Sequence, residues 1–108
     1  MKLHTIKAPA ILDKKPIEIE ISGYVAKLYV GAYQYKFLLQ QTKTSEVFLV
    51  HYDSGQKLGS LTPVKLQFYQ SYSRLKDREA AKLLIERLIE RLGENVVQDR
   101  LNTAKVIN

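Results

Sequence analysis

Apolar and polar residues alternate strictly from Ile17: Ile17, Ile19 and Ile21 fall on one side, Glu18 and Glu20 on the other. That is the period of a strand with one buried face. Ser22-Gly23 supplies a turn signal, residues 24–30 a second strand, Gly31-Ala32 a break and residues 33–40 a third strand, so two successive hairpins are expected. Gln41-Thr42-Lys43-Thr44-Ser45 has no apolar residue to bury and predicts a surface loop. Val47-Phe48-Leu49-Val50-His51-Tyr52 is β-branched and aromatic, Asp53-Ser54-Gly55-Gln56 carries turn residues, and residues 57–61 form a short fifth strand. Residues 1–16 hold Pro9 and Pro16, which predict an arm or short edge strand followed by a loop.

Beyond residue 61 the period changes. Thr62-Pro63 reads as an N-cap with proline at the first helical position, where no N–H is needed. Val64, Phe68, Tyr72 and Leu75 then lie on one helical stripe, against a competing alternation of Val64, Leu66 and Phe68 as a strand. Asp77 is placed to cap a helix over 78–92, which Gly93 ends. Its apolar stripe is Ala81, Leu84, Ile85, Leu88 and Leu92, broadened by Ile89. Residues 94–102 predict a short helix with Val97 and Leu101 inward, and the tail 103–108 is expected to dock through Val106 and Ile107. The whole describes one α+β domain spanning 1–108. A four- to five-stranded antiparallel meander over 17–61 is covered on one face by two or three helices from 62–108, leaving the other face open.

Charge distinguishes the two parts. The 108 residues hold 17 Lys+Arg against 11 Asp+Glu, a net charge of +6. Residues 1–76 carry the whole excess, since 77–108 hold six basic and six acidic residues. All ten aromatics also lie upstream of residue 77. No segment has the ~18–20 apolar residues of a bilayer span, and the residues after Met1 lack the apolar core of a signal peptide. A cytoplasmic protein without a membrane partner is expected. With no cysteine, disulfides, thiolate metal sites and cysteine nucleophiles are excluded.

Reactive constellations are sparse. His51, Asp53 and Ser54 hold the residue types of a hydrolytic triad, but side chains one to three apart at a strand-to-turn junction are expected to point in different directions. The Gly-x-Ser-x-Gly elbow is also missing. His4 and His51 are the only imidazoles, no metal-ligand spacing occurs, and no glycine-rich phosphate loop is present. The expectation is a protein with no catalytic residues, metal or cofactor.

Binding is the better use of this composition. Strict alternation puts Tyr24, Ala26, Leu28 and Val30 with Tyr33, Tyr35, Phe37 and Leu39 on a core face, leaving Lys27, Tyr29, Gln34, Lys36 and Gln40 outward. Together with Lys43 and Lys57, the residues Lys27, Tyr29 and Lys36 form a candidate surface for single-stranded DNA or RNA, lysines neutralising phosphates while Tyr29 stacks on bases. An ordinary solvated sheet face, with Tyr29 as a cross-strand partner, accounts for the same residues. A second basic group, Lys65, Arg74, Lys76 and Arg78, lies where the two helices join, but glutamates interleave the second helix and disfavour it as a phosphate-reading element. The alternative is a homodimer or protein-interaction module that uses the Leu/Ile-rich C-terminal helix or an open sheet edge.

Overall fold

A single strand of sixteen residues organises the sheet. The structure, a computed structural model, describes residues 2–44, 46–67 and 76–108. In it β1 (His4–Leu12), β2 (Lys15–Val30), β3 (Tyr33–Gln41), β4 (Val47–His51) and β5 (Lys57–Ser60) form an antiparallel meander in chain order. Helices α1 (Thr62–Gln67), α2 (Asp77–Leu92) and α3 (Glu94–Thr103) follow. None of the described helices is long and apolar enough to cross a membrane.

The β2–β3 register is the one alternation requires, with Tyr24 opposite Leu39, Ala26 opposite Phe37, Leu28 opposite Tyr35 and Val30 opposite Tyr33. Tyr33 is nonetheless 64% exposed, although its partner Val30 is fully buried and α3 reaches the same hairpin end through Gln98 on the Val30 carbonyl. Tyr35 is half-buried and donates its hydroxyl to Asn102 Oδ1 at 3.0 Å.

Two expectations at the start of the chain are corrected. Ser22-Gly23 is not a turn: both residues lie inside β2, paired with Thr5 and His4. Gly23 is paired on its other side with Gln40, and a Cβ there would collide with the Leu39 carbonyl. Glycine is therefore required for a close backbone approach where β2 passes from one neighbour to the other. Likewise, residues 1–16 are not an arm and a loop but a full nine-residue edge strand and the start of β2. The hairpin between them turns on Asp13 and Lys14, both with positive φ (51° and 64°), as a two-residue type I′ loop needs. Counting back from that loop, Thr5, Lys7, Pro9 and Ile11 of β1, and Pro16 and Glu18 of β2, occupy the non-hydrogen-bonded pairs. Both prolines thus stand where no ladder N–H is missing.

Helices cover one sheet face. Leu28, Val30, Phe37 and Leu49 pack there against Val64, Ala81, Ile85, Leu88, Val97 and Leu101. The opposite face is not simply open, as the sequence pattern had suggested. Ile6, Ala8 and Ile21 of the β1–β2 ribbon pack over Leu38 and Val50, and both of the latter are fully buried. The ribbon bends back over the sheet because those apolar residues gain more by meeting a second apolar face than by facing water. At its outer end it runs beyond the body, leaving Ile11 (79%) and Leu12 (59%) exposed.

The helices follow the expected periodicity with local corrections. The Lys65 N–H reaches the Leu61 carbonyl, and Ser60 Oγ accepts the Thr62 N–H, so Ser60 takes the capping role expected of Thr62. Asp77 does not cap α2; Lys76 occupies that position, and the Asp77 carboxylate pairs with the Lys65 ammonium. That choice links α1 to α2 and still places negative charge in the first turn. In α2, Ala81, Ile85 and Leu88 are buried, while Leu84, Ile89 and Leu92 are half-buried against the same core. Phe68, Tyr72, Leu75 and Arg74 lie outside the described residues. Gly93 adopts φ 90° and closes α2 with its N–H on the Ile89 carbonyl. Val97 and Leu101 of α3 are buried as expected. Val106 is exposed, so the tail docks differently: Ile107 and Asn108 donate their amides to the Asp53 carbonyl.

Candidate nucleic-acid interface

Of the five residues singled out as a binding surface, four share the outer side of the sheet. Lys27 of β2 lies directly opposite Lys36 of β3, and Tyr29 opposite Gln34. In the hairpin count, Lys27–Lys36 is a non-hydrogen-bonded pair, the kind in which side chains approach most closely. Like charges so placed repel. Among the described residues neither lysine has a carboxylate partner, the one ion pair being Lys65–Asp77. Tyr29 is 63% exposed beside them.

Two lysine–aromatic pairs stand on this face, that of Lys36 at the patch and that of Lys57 beyond the ribbon-covered Val50. The Lys36 ammonium sits 3.9 Å from the centre of the Tyr52 ring, and the Lys57 ammonium 4.2 Å from that of Phe48. Such cation–π contacts hold a cation in place while leaving its outer side free for an anion. Tyr52 and Phe48 were not among the expected site residues, although carrying the alternation one strand further, from β3 to β4, places both outward. Lys43 does not belong to the group. It is exposed in the turn after β3, seven residues beyond Lys36 along the chain, which is roughly 23 Å at strand rise.

The patch opens at one end only. Since β1 pairs with β2 no further than Gly23, the ribbon covers Leu38 and Val50 and leaves Lys27, Tyr29, Gln34 and Lys36 clear. Arg78 of α2 reaches the same edge from the helical side, donating to the Lys27 carbonyl at 3.0 Å. The rest of the second basic group divides: Lys65 is paired with Asp77, and Lys76 is exposed.

His51 and Ser54 overturn the expectation that they point apart. His51 Nδ1 and Ser54 Oγ lie 2.7 Å apart, and both residues are buried. The turn after β4 folds tightly, His51 accepting the Gly55 N–H at its carbonyl and donating its own N–H to Gln56. Ser54 Oγ also accepts the Gln56 N–H at 3.2 Å. The hydroxyl is thus committed to holding the turn. Burial pushes the His51 imidazole below its ordinary value, with Asp53 opposing in part, so it is neutral at pH 7.

No protein-family model, curated protein or solved structure matches this chain.

Proposed function

We propose that the chain binds single-stranded DNA or RNA across the open end of the outer sheet face, with no catalytic step. The observation that carries this reading is the directly opposed pair Lys27–Lys36, unpaired with any carboxylate among the described residues and flanked by exposed Tyr29. A phosphate between the two ammonium groups converts their mutual repulsion into attraction. Tyr29 offers a ring on which a base stacks whatever its identity, while Lys57 stands apart, beyond the covered Val50 and beside Ala8 and Pro9 of the ribbon.

Fluorescence anisotropy with a labelled single-stranded oligonucleotide at ~50 mM salt tests it. Binding should weaken linearly in log–log form with rising salt, and Lys27→Glu with Lys36→Glu should cost about tenfold or more, since two phosphate contacts are lost. Lys43→Glu should change little. Absence of binding by the parent protein at that salt, or equal losses from Lys43→Glu and the Lys27/Lys36 pair, overturns the reading.

A second reading, self-association, is favoured by the exposed apolar side chains at the ribbon tip. The helix stripe expected to make that contact is instead packed on the sheet, so association falls to Leu12, Ile17 and Ile19 on the inner ribbon face. Light scattering that shows the 12.4 kDa monomer at every concentration excludes it.

A further inference from the structure

Where α2 and α3 converge on the start of β5 lies a cavity of about 210 Å³ that shares Lys57 with the outer-face residues but none of Lys27, Tyr29 and Lys36. We propose that this cavity binds a small organic carboxylate, its anionic head held by Arg91 and Arg100 and its apolar body lying against leucine and valine side chains.

The lining divides cleanly. Leu88, Leu92, Val97 and Leu101 supply an apolar wall and Arg91 and Arg100 line it at the helix ends; Lys57 also lines it but holds its ammonium over the Phe48 ring, and among the described residues no carboxylate lines the space. A cation in the last turn of a helix is ordinary. Here, however, the last turns of two helices deliver theirs to one cavity, and neither arginine has an ion-pair partner among the described residues. The floor is His51, 4% exposed. His51 Nδ1 is engaged with Ser54 Oγ at 2.7 Å, which leaves Nε2 as the ring nitrogen without a partner in the turn. That nitrogen makes no hydrogen bond among the described residues. The site therefore offers two arginines and one unpartnered imidazole nitrogen over an apolar wall, the usual composition of a small-molecule site: mostly apolar, with a few convergent polar groups.

Size and charge narrow the ligand class. The volume is below the ~300–1,000 Å³ of drug-sized sites. The two arginines stand in the last turns of their helices, whereas phosphate sites characteristically use helix N-termini. A monoanion with a short hydrocarbon body satisfies both constraints.

Titrating the isotope-labelled full chain with hexanoate, hexanol and inorganic phosphate, and following backbone amide shifts by NMR, tests the assignment. Hexanoate should shift the amides of Leu92, Val97 and Leu101 saturably, with hexanol at least ~10-fold weaker, a tenfold change being about 1.4 kcal/mol, and phosphate without effect on them. Arg91→Gln with Arg100→Gln changes two exposed side chains, so the spectrum should keep its dispersion while hexanoate affinity falls by a similar factor. Lys27→Glu with Lys36→Glu should leave hexanoate binding unchanged, so failure of the outer-face reading and failure of this one are separable. Equal binding of hexanol, equal effects of phosphate on the same amides, or no saturable shift with hexanoate overturns the proposal.

Discussion

The side-chain amide of Asn108 grips Lys7 at both backbone groups, accepting its N–H at 2.8 Å and donating to its carbonyl at 2.9 Å. It thereby occupies the outer edge of β1 as a neighbouring strand would. The same amide donates to the Tyr52 carbonyl, tying the edge strand to the end of β4. One step further along that edge, Pro9 has no N–H to offer. Asn108→Ala should release the edge. The expected cost is about 1 kcal/mol, since these hydrogen bonds are solvent-exposed, and hydrogen exchange at the Lys7 amide should accelerate. An unchanged Lys7 exchange rate would show that the clasp does not persist in solution.

Leu88 belongs to the helix–sheet core on the side that borders the cavity. It is buried with Ile85, Ala81 and the sheet residues Leu28 and Phe37 in one cluster. Leu88→Ala should therefore lower stability by about 2–5 kcal/mol, through lost transfer energy and the cavity left behind. Ile11→Ala, at the exposed ribbon tip, should fall within about 0.5 kcal/mol of the parent. Denaturant midpoints compare the two directly, and equal effects would mean that α2 is docked on another face.

Gly23 and Gly93 are required for different reasons, which substitution separates. A Cβ at Gly23 runs into the Leu39 carbonyl and the Gln40 backbone, so Gly23→Ala must displace β3 and should abolish or severely weaken folding. At Gly93 a Cβ meets nothing within 4 Å, and only the positive φ of 90° opposes it. Gly93→Ala should then cost on the order of 1–3 kcal/mol, the usual range for a sparsely populated backbone conformation, and leave a cooperative transition. Thermal unfolding of both variants checks the order, and the reverse order would mean that the β2–β3 crossing relaxes freely.

How much of this was legible before the fold depends on which force sets each feature. The pairing of Ala26 with Phe37 and Leu28 with Tyr35 follows from alternation alone, because a half-buried strand has only one way to turn its apolar residues inward. The inward stripe of α2 is legible for the same reason. Ser22-Gly23 misled because glycine marks turns and close approaches alike, and only the position of the Leu39 carbonyl tells them apart. Pro9 and Pro16 misled because proline breaks a ladder only at hydrogen-bonded positions, and the parity of those positions comes from the Asp13-Lys14 turn. Within the candidate surface, Lys27, Tyr29 and Lys36 follow from alternation, whereas Tyr52 and Phe48 needed the β3–β4 pairing and Lys43 needed the length of β3. The Arg91–Arg100 cavity was not legible, since it arises from the reversal of the chain at Gly93 and its packing over His51.

His51 gives the fold an acid sensitivity with a definite sign. Burial holds its imidazole below the ordinary value of 6.5, with the nearby Asp53 carboxylate opposing in part. In the unfolded chain histidine gains its proton near pH ~6.5, while in the folded protein it stays neutral to lower pH. The unfolded state therefore binds more protons in that interval, and stability rises with pH there. The contribution is fully present above the unfolded value and is lost as pH falls from about 6.5 toward the folded one. Denaturant midpoints should accordingly fall between pH ~7.5 and ~5.5, and His51→Gln should flatten that slope even if it lowers stability throughout. Asp53→Asn removes the opposing charge while leaving in place the Asp53 carbonyl that receives the Ile107 and Asn108 amides. The folded imidazole then takes up its proton at still lower pH, so the decline in stability should extend further into acid. A midpoint independent of pH in the parent, or a full slope retained in His51→Gln, would place the sensitivity on other groups.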